Sequence, residues 1–291
     1  MKKFIIGICL FFLLLIGAGG LKYFLGYSVF RDVSYGEAEA CVMDVYIPKR
    51  ASRRENNGCV LLIHGGSWSG GDKREEEMKC RLLASHGYIA ASVNYTLWSE
   101  QTAAEYTVFG VLDELDTALG ELKSFLGDKG ISTDKAAIGG YSAGAHLAML
   151  YSYSRADTAP MEIAFTLNMA GPSDVCSAVW GNEMAVRIAQ RLTGKEISED
   201  MLLSGEADQL LASISPVSYV NENTPPTLIA HGGRDDVVPL GNAEALIERL
   251  REYSVEHEYI YMKASNHMLI QNPIKRMEYL KAMLEYCKAY F

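Results

Sequence analysis

The chain has 291 residues, enough for one large α/β domain or two small ones, and its 49% hydrophobic content can fill a sizeable core. A formal charge of −9 and a pI near 5.2 provide no basic stripe of the kind that nucleic-acid binding requires. Disorder is excluded on the same grounds, and no internal repeat or low-complexity tract is present.

Lys2 and Lys3 precede an apolar run from Phe4 to Leu21. A run of about 18 residues is at the lower limit for spanning a bilayer and long for a signal-peptide core. Gly17-Ala18-Gly19 offers small residues for cleavage, yet Tyr23-Phe24-Leu25 carries the apolar character past that point. Residues 1–27 are therefore expected to form an uncleaved membrane anchor, with the lysines cytoplasmic and the rest extracytoplasmic. Secretion after signal cleavage is the alternative. Cys9 has no lipobox before it. The remaining cysteines, Cys41, Cys59, Cys80, Cys176 and Cys287, show neither a C-x-x-C nor a metal-ligand spacing. No metal or cofactor is expected.

Residues 28–291 alternate strand-like and helix-like segments. Val29–Ser34 and Cys41–Ile47 flank Tyr35-Gly36-Glu37 as an antiparallel opening. Cys59–Ile63 is a continuous apolar run, as expected of a strand buried on both faces, and it leads into His64-Gly65-Gly66-Ser67-Trp68. A helix over Glu75–His86, a strand over Tyr88–Asn94 and a long helix carrying Val108, Val111, Leu112, Leu115, Leu119, Leu122 and Leu126 follow. Ala136–Gly139 then precedes Gly140-Tyr141-Ser142-Ala143-Gly144, and Ala145–Leu150 is rich in helix formers. Ile163–Met169 is a further strand.

Residues 173–220 break the rhythm. Met184–Leu192 and Asp200–Leu211 look helical and no strand is evident, so this stretch reads as a cap-like insertion over one end of the sheet. Alternation resumes with strand Thr227–Ala230, helix Ala243–Tyr253, strand Glu258–Met262 and helix Pro273–Tyr290. Such an order predicts one α/β domain, with a mostly parallel sheet covered on both faces.

Sites in such sheets form at the carboxyl ends of the strands. Four such ends are unusual here: His64–Trp68, the Gly-x-Ser-x-Gly turn at Ser142, the loop with Asp235 and Asp236, and Lys263–Met268 with His267. Strand, Gly-x-Ser-x-Gly and helix together form the context of a nucleophile elbow. The chain resembles the α/β-hydrolase superfamily, in its esterase/lipase branch with an H-G-G oxyanion loop (hormone-sensitive-lipase-like, and feruloyl- and acetyl-esterase-like). Matching in order are His64-Gly65-Gly66-x-Trp68 with Gly71-Asp72-Lys73, the elbow with His146-Leu147-Ala148, Pro225–Ile229 leading to His231-Gly232-x-x-Asp235-x-x-Val238-Pro239, and His267.

The resemblance implies a serine esterase with Ser142 as nucleophile, His267 as general base and acid, and Asp235 orienting the imidazole. Gly66, Ser67 and Ala143 would supply the oxyanion hole. Asp236 is the adjacent rival acid, and the motif register favours Asp235. His231 is expected to shape its loop, His146 to pack, His64 to brace the oxyanion loop, and Trp68 to pack or line a pocket.

Four positions depart from the family pattern. Ser67 replaces a third glycine and is strained if that position needs positive φ. Ala145 follows Gly144 where a second glycine is frequent. Asn266 stands where a glycine usually precedes the histidine, and Asn tolerates the left-handed region. Tyr95-Thr96 replaces a Tyr-Arg pair, removing a cation.

The expected substrates are small-acyl or carbohydrate-linked esters. An amidase, aminopeptidase-like or formamidase activity with the same triad is the enzymatic rival, as is a lipase acting at interfaces. A non-catalytic binding protein on the same fold is the rival from another class.

Overall fold

The computed structural model describes residues 26–53 and 57–291. The expected membrane segment therefore lies almost wholly outside the described residues. Among the described residues, no helix is long and apolar enough to cross a membrane.

The fold is an α/β-hydrolase fold built on a mixed eight-stranded sheet. Its strands are β1 (Tyr27–Ser34), β2 (Val42–Pro48), β3 (Gly58–Ile63), β4 (Ile89–Val93), β5 (Lys135–Tyr141), β6 (Glu162–Met169), β7 (Thr227–Gly232) and β8 (His257–Met262). Their spatial order is β1-β2-β4-β3-β5-β6-β7-β8. β2 runs antiparallel to both β1 and β4, and every later pairing is parallel.

The helices before the insertion are α1 (Glu77–Ser85), α2 (Val108–Gly127) and α3 (Ala143–Arg155). The insertion holds α4 (Ser177–Trp180), α5 (Asn182–Thr193), α6 (Glu199–Ser204) and α7 (Asp208–Ser213), and α8 (Gly241–Glu252) and α9 (Pro273–Tyr290) end the chain.

Alternation along β3 divides the core in two. Cys59, Leu61 and Ile63 join Leu112, Leu115 and Leu119 of α2 and Leu147 of α3. Val60 and Leu62 join Leu83 of α1 and Met283 of α9 on the opposite face. Each fully buried aliphatic side chain contributes about 1.5–3 kcal/mol of transfer free energy, so both layers are needed to hold the sheet. A strand with both faces covered has no polar face to show, which explains its unbroken apolar sequence.

The insertion differs from expectation in detail. Asp200–Leu211 is two short helices rather than one, because Gly205 adopts φ 80° and caps α6. The short helix α4 was not expected. Ile188, Leu192, Leu211 and Ile214 of the insertion join the same apolar cluster as α2 and α3. Ser173 fastens its start, donating from Oγ to the Asn242 carbonyl at 2.5 Å. The insertion thus rests on the core that also positions the elbow helix.

Candidate active site

The sharpest turn in the chain lies between β5 and α3. Ser142 sits there at φ 54°, ψ −122°, outside the regions that L-residues favour. Holding it requires β3, β5 and α3 to approach closely. A Cβ on Gly144 would lie 2.1 Å from the Ile63 carbonyl oxygen, and one on Gly140 would lie 2.4 Å from the Gly144 backbone. Glycine at both positions is a steric requirement.

His267 stands between the serine and an acid. Its Nε2 is 2.9 Å from Ser142 Oγ, and its Nδ1 is 2.8 Å from Asp235 Oδ2. A carboxylate only accepts, so Nδ1 carries the proton and Nε2 is free to accept from the serine hydroxyl. The Asp235 carboxylate is fully buried, whereas Asp236 is exposed. Burial alone would raise the Asp235 pKa. The hydrogen bond from His267 and the backbone N–H groups of Val238 and Val237 outweigh burial and hold it below the usual carboxylate value. The acid is therefore ionised at neutral pH, the state needed to stabilise an imidazolium.

The other histidines have structural partners. His231 Nε2–H donates to the Val238 carbonyl at 3.0 Å, and burial lowers its pKa, so it is a neutral brace of the acid loop. His64 Nδ1–H donates to the Gly65 carbonyl at 2.7 Å, and its ring stacks on Tyr95 at 4.6 Å. His146 is fully buried and joins three elements. It lies on α3, its Nδ1 accepts from Trp68 Nε1 at 3.3 Å, and its Nε2 donates to the Ile214 carbonyl at 2.8 Å.

The loop after β3 turns left-handed at three successive residues: Gly66 (φ 112°), Ser67 (φ 52°) and Trp68 (φ 60°). Ser67 thus takes the positive φ that its sequence makes costly, about 1–2 kcal/mol for a residue bearing a Cβ. Among the described residues the N–H groups of Gly66, Ser67 and Ala143 have no hydrogen-bond acceptor. Backbone N–H groups without an acceptor are what an oxyanion hole would use.

Beyond this turn, Asp72 caps a short helical turn in a capping box with Glu75, and Lys73 Nζ contacts Asp32 at 2.6 Å and Asp44 at 3.0 Å. The Gly71-Asp72-Lys73 sequence thereby ties the loop to β1 and β2. Asn266 is not left-handed; its Oδ1 accepts the Met268 N–H at 3.1 Å, and Leu269 takes the positive φ of 56°.

The family model for BD-FAE matches residues 43–250. The chain belongs to the BD-FAE family. Among relatives of this BD-FAE chain is the probable carboxylic ester hydrolase LipM of Mycobacterium tuberculosis, 24% identical, with 80% of this chain aligned to 54% of that protein. Esterase LipC of the same organism is 26% identical over 77% of this chain and 55% of its own length. The chain spans about half the length of these curated relatives. A truncated carbohydrate esterase from gut microbiota shares the fold at a TM-score of 0.75 and 18% identity, covering 91% of this chain and 97% of that one. Esterase B of Lactobacillus rhamnosis does so at 0.70 and 17%, covering 99% and 96%.

Two contributors to this BD-FAE site had escaped the sequence reading. Tyr141, the first variable residue of the Gly-x-Ser-x-Gly turn, donates its hydroxyl to the His267 carbonyl at 2.9 Å and fixes the histidine loop. Arg191 of the insertion donates to the Ser67 carbonyl at 3.1 Å, and its guanidinium lies 4.6 Å from the Trp98 ring centre. Arg191 brings a cation to the loop where Tyr95-Thr96 supplies none. No local sequence signal links Arg191 to Ser67. Among the described residues, no group of three or more His, Cys, Asp or Glu could hold a metal ion.

Proposed function

We propose that this chain is a serine carboxylesterase acting on small-acyl or carbohydrate-linked esters. The observation that carries the reading is the unbroken hydrogen-bonded line Ser142–His267–Asp235, with steps of 2.9 and 2.8 Å. In the proposed reaction His267 Nε2 takes the hydroxyl proton as Ser142 Oγ bonds to the ester carbonyl carbon. The resulting oxyanion rests on the N–H groups of Gly66, Ser67 and Ala143. Asp235 holds the imidazole in the required tautomer and offsets its charge. Collapse expels the alcohol, which receives the proton from His267 and leaves an acyl-serine. Water, deprotonated by His267, then attacks the acyl carbon, releasing the acid and restoring Ser142.

The names of relatives and structural neighbours, esterases and a carbohydrate esterase among them, support the ester class. The segment before β1 is proposed as a membrane anchor holding the domain outside the cytoplasm. β1 is antiparallel to β2, which is antiparallel to β4, so Tyr27 enters at the end of the sheet opposite Ser142. Parallel assays of matched acetyl esters and acetyl amides test the reaction class. Higher kcat/KM on the amide would overturn the esterase reading.

A further inference from the structure

A cleft of about 640 Å³ opens beside the oxyanion loop, lined by Trp68, Trp98 and the α5 side, with Arg187, Arg191 and Lys195. None of the three triad side chains lines it. It adjoins the loop after β3, because Trp68 follows Ser67 directly and Trp98 N–H donates to the Trp68 carbonyl at 2.8 Å. The volume is in the range of pockets that enclose whole small-molecule ligands and exceeds what a short acyl group fills.

The charge is the unusual feature. In a chain of formal charge −9, three cations line this one cleft and Glu196 is its one acidic lining residue. Arg187 and Arg191 lie four residues apart on α5, a spacing at which like charges repel. Arg187 has only a loose partner, Glu183 at 3.8 Å, with both side chains well exposed. Neither Arg191 nor Lys195 forms an ion pair with a carboxylate among the described residues. Stacking on Trp98 and the bond to Ser67 fix the Arg191 guanidinium in place while using one of its five N–H donors. A bound anion would relieve the repulsion and use the remaining donors.

We infer that this cleft binds the alcohol portion of the substrate and that this portion carries a carboxylate, as in an acylated uronic acid. The inference rests on the esterase reading and gives it a substrate class. Binding of the anion by Arg187, Arg191 and Lys195 lowers KM for such esters, and Arg191 couples the occupied cleft to the Ser67 carbonyl of the oxyanion loop.

The test uses a matched pair, the acetate esters of glucuronic acid and of glucose, which differ in a carboxylate against a hydroxymethyl group. The wild type is expected to favour the glucuronate by about tenfold or more in kcat/KM. The Arg187→Gln/Lys195→Gln variant should lose that preference through KM and keep the glucose ester within about twofold. Equal rates on both esters in the wild type, or equal losses on both in the variant, would overturn the proposal. Binding of methyl glucuronide against methyl glucoside, followed by tryptophan fluorescence in Ser142→Ala, needs no turnover. If the glucuronide binds selectively there while neither ester is hydrolysed by the wild type, the cleft assignment stands and the esterase reading falls. If hydrolysis proceeds without preference and the glucuronide does not bind, the cleft assignment falls alone.

Discussion

The fully buried carboxylate of Asp235 meets His267 Nδ1 at 2.8 Å, while Asp236 beside it is exposed. Two adjacent residues of the same chemistry thus have different surroundings, decided by which one the loop after β7 turns inward. Val237 and Val238 N–H groups secure that choice by donating to Asp235 Oδ1 at 3.0 and 2.8 Å. Asp235→Asn is expected to lower kcat by about 10⁴, because an amide can hold the wrong tautomer of the histidine. Asp236→Asn should stay within about threefold of the wild type, as surface substitutions do. Steady-state kinetics on a 4-nitrophenyl ester compares the two, and a reversed order would reassign the acid.

The role proposed for Ser67 lies in its backbone N–H, so its hydroxyl should be dispensable. Ser67→Gly relieves about 1–2 kcal/mol of left-handed strain and costs about 0.4–1 kcal/mol through the looser unfolded chain. Denaturant midpoints should therefore stay level or rise, with kcat within a few-fold. Ser67→Val keeps the N–H, yet a β-branched residue at φ 52° should destabilise the loop and lower kcat. A large activity loss in Ser67→Gly would show that the side chain takes part.

His146 gives the fold an acid-sensitive joint. Burial pulls its pKa from 6.5 down to about 4, against the smaller opposing effect of its bond to Ile214. The unfolded chain binds this proton first, so stability is fully present above about pH 6.5 and falls as pH drops toward 4. At about 1.4 kcal/mol per pH unit, the loss over that window is roughly 3 kcal/mol, and His231 adds a loss of the same sign. Thermal melts from pH 7 to 4 should show a shallower decline for His146→Asn than for the wild type, whatever its starting stability. Parallel declines would remove His146 from this role.

Much of the framework was legible because parallel strands covered on both faces read as uninterrupted apolar runs. Cys59–Ile63 is such a run, and Ile163–Met169 is apolar but for the buried Thr166 and Asn168; each was found within a residue of its strand. The elbow was legible for a related reason: the approach of Gly140 and Gly144 to β3 leaves no room for a Cβ, so a steric constraint is written as composition. Long-range contacts were not legible. Arg191 reaches Ser67 across 124 positions, and no periodicity reports such a pairing. The break at Gly205 was visible as a residue but not as a conformation, since glycine inside a helical pattern can be either tolerated or terminating. Asn266 does not use the left-handed region that asparagine tolerates; its Oδ1 accepts the Met268 N–H, and Leu269 takes the positive φ.

If Ser142 attacks the ester, removing its hydroxyl abolishes turnover while leaving the fold intact. Hydrolysis of 4-nitrophenyl acetate, butyrate and octanoate should be followed for the wild type and for Ser142→Ala, with circular dichroism to show that both fold alike. Saturable turnover is expected of the wild type, with a fall in kcat of about 10⁴ or more in the variant. Equal rates in the two proteins would mean that the elbow is only architecture, and the proposed mechanism would be wrong.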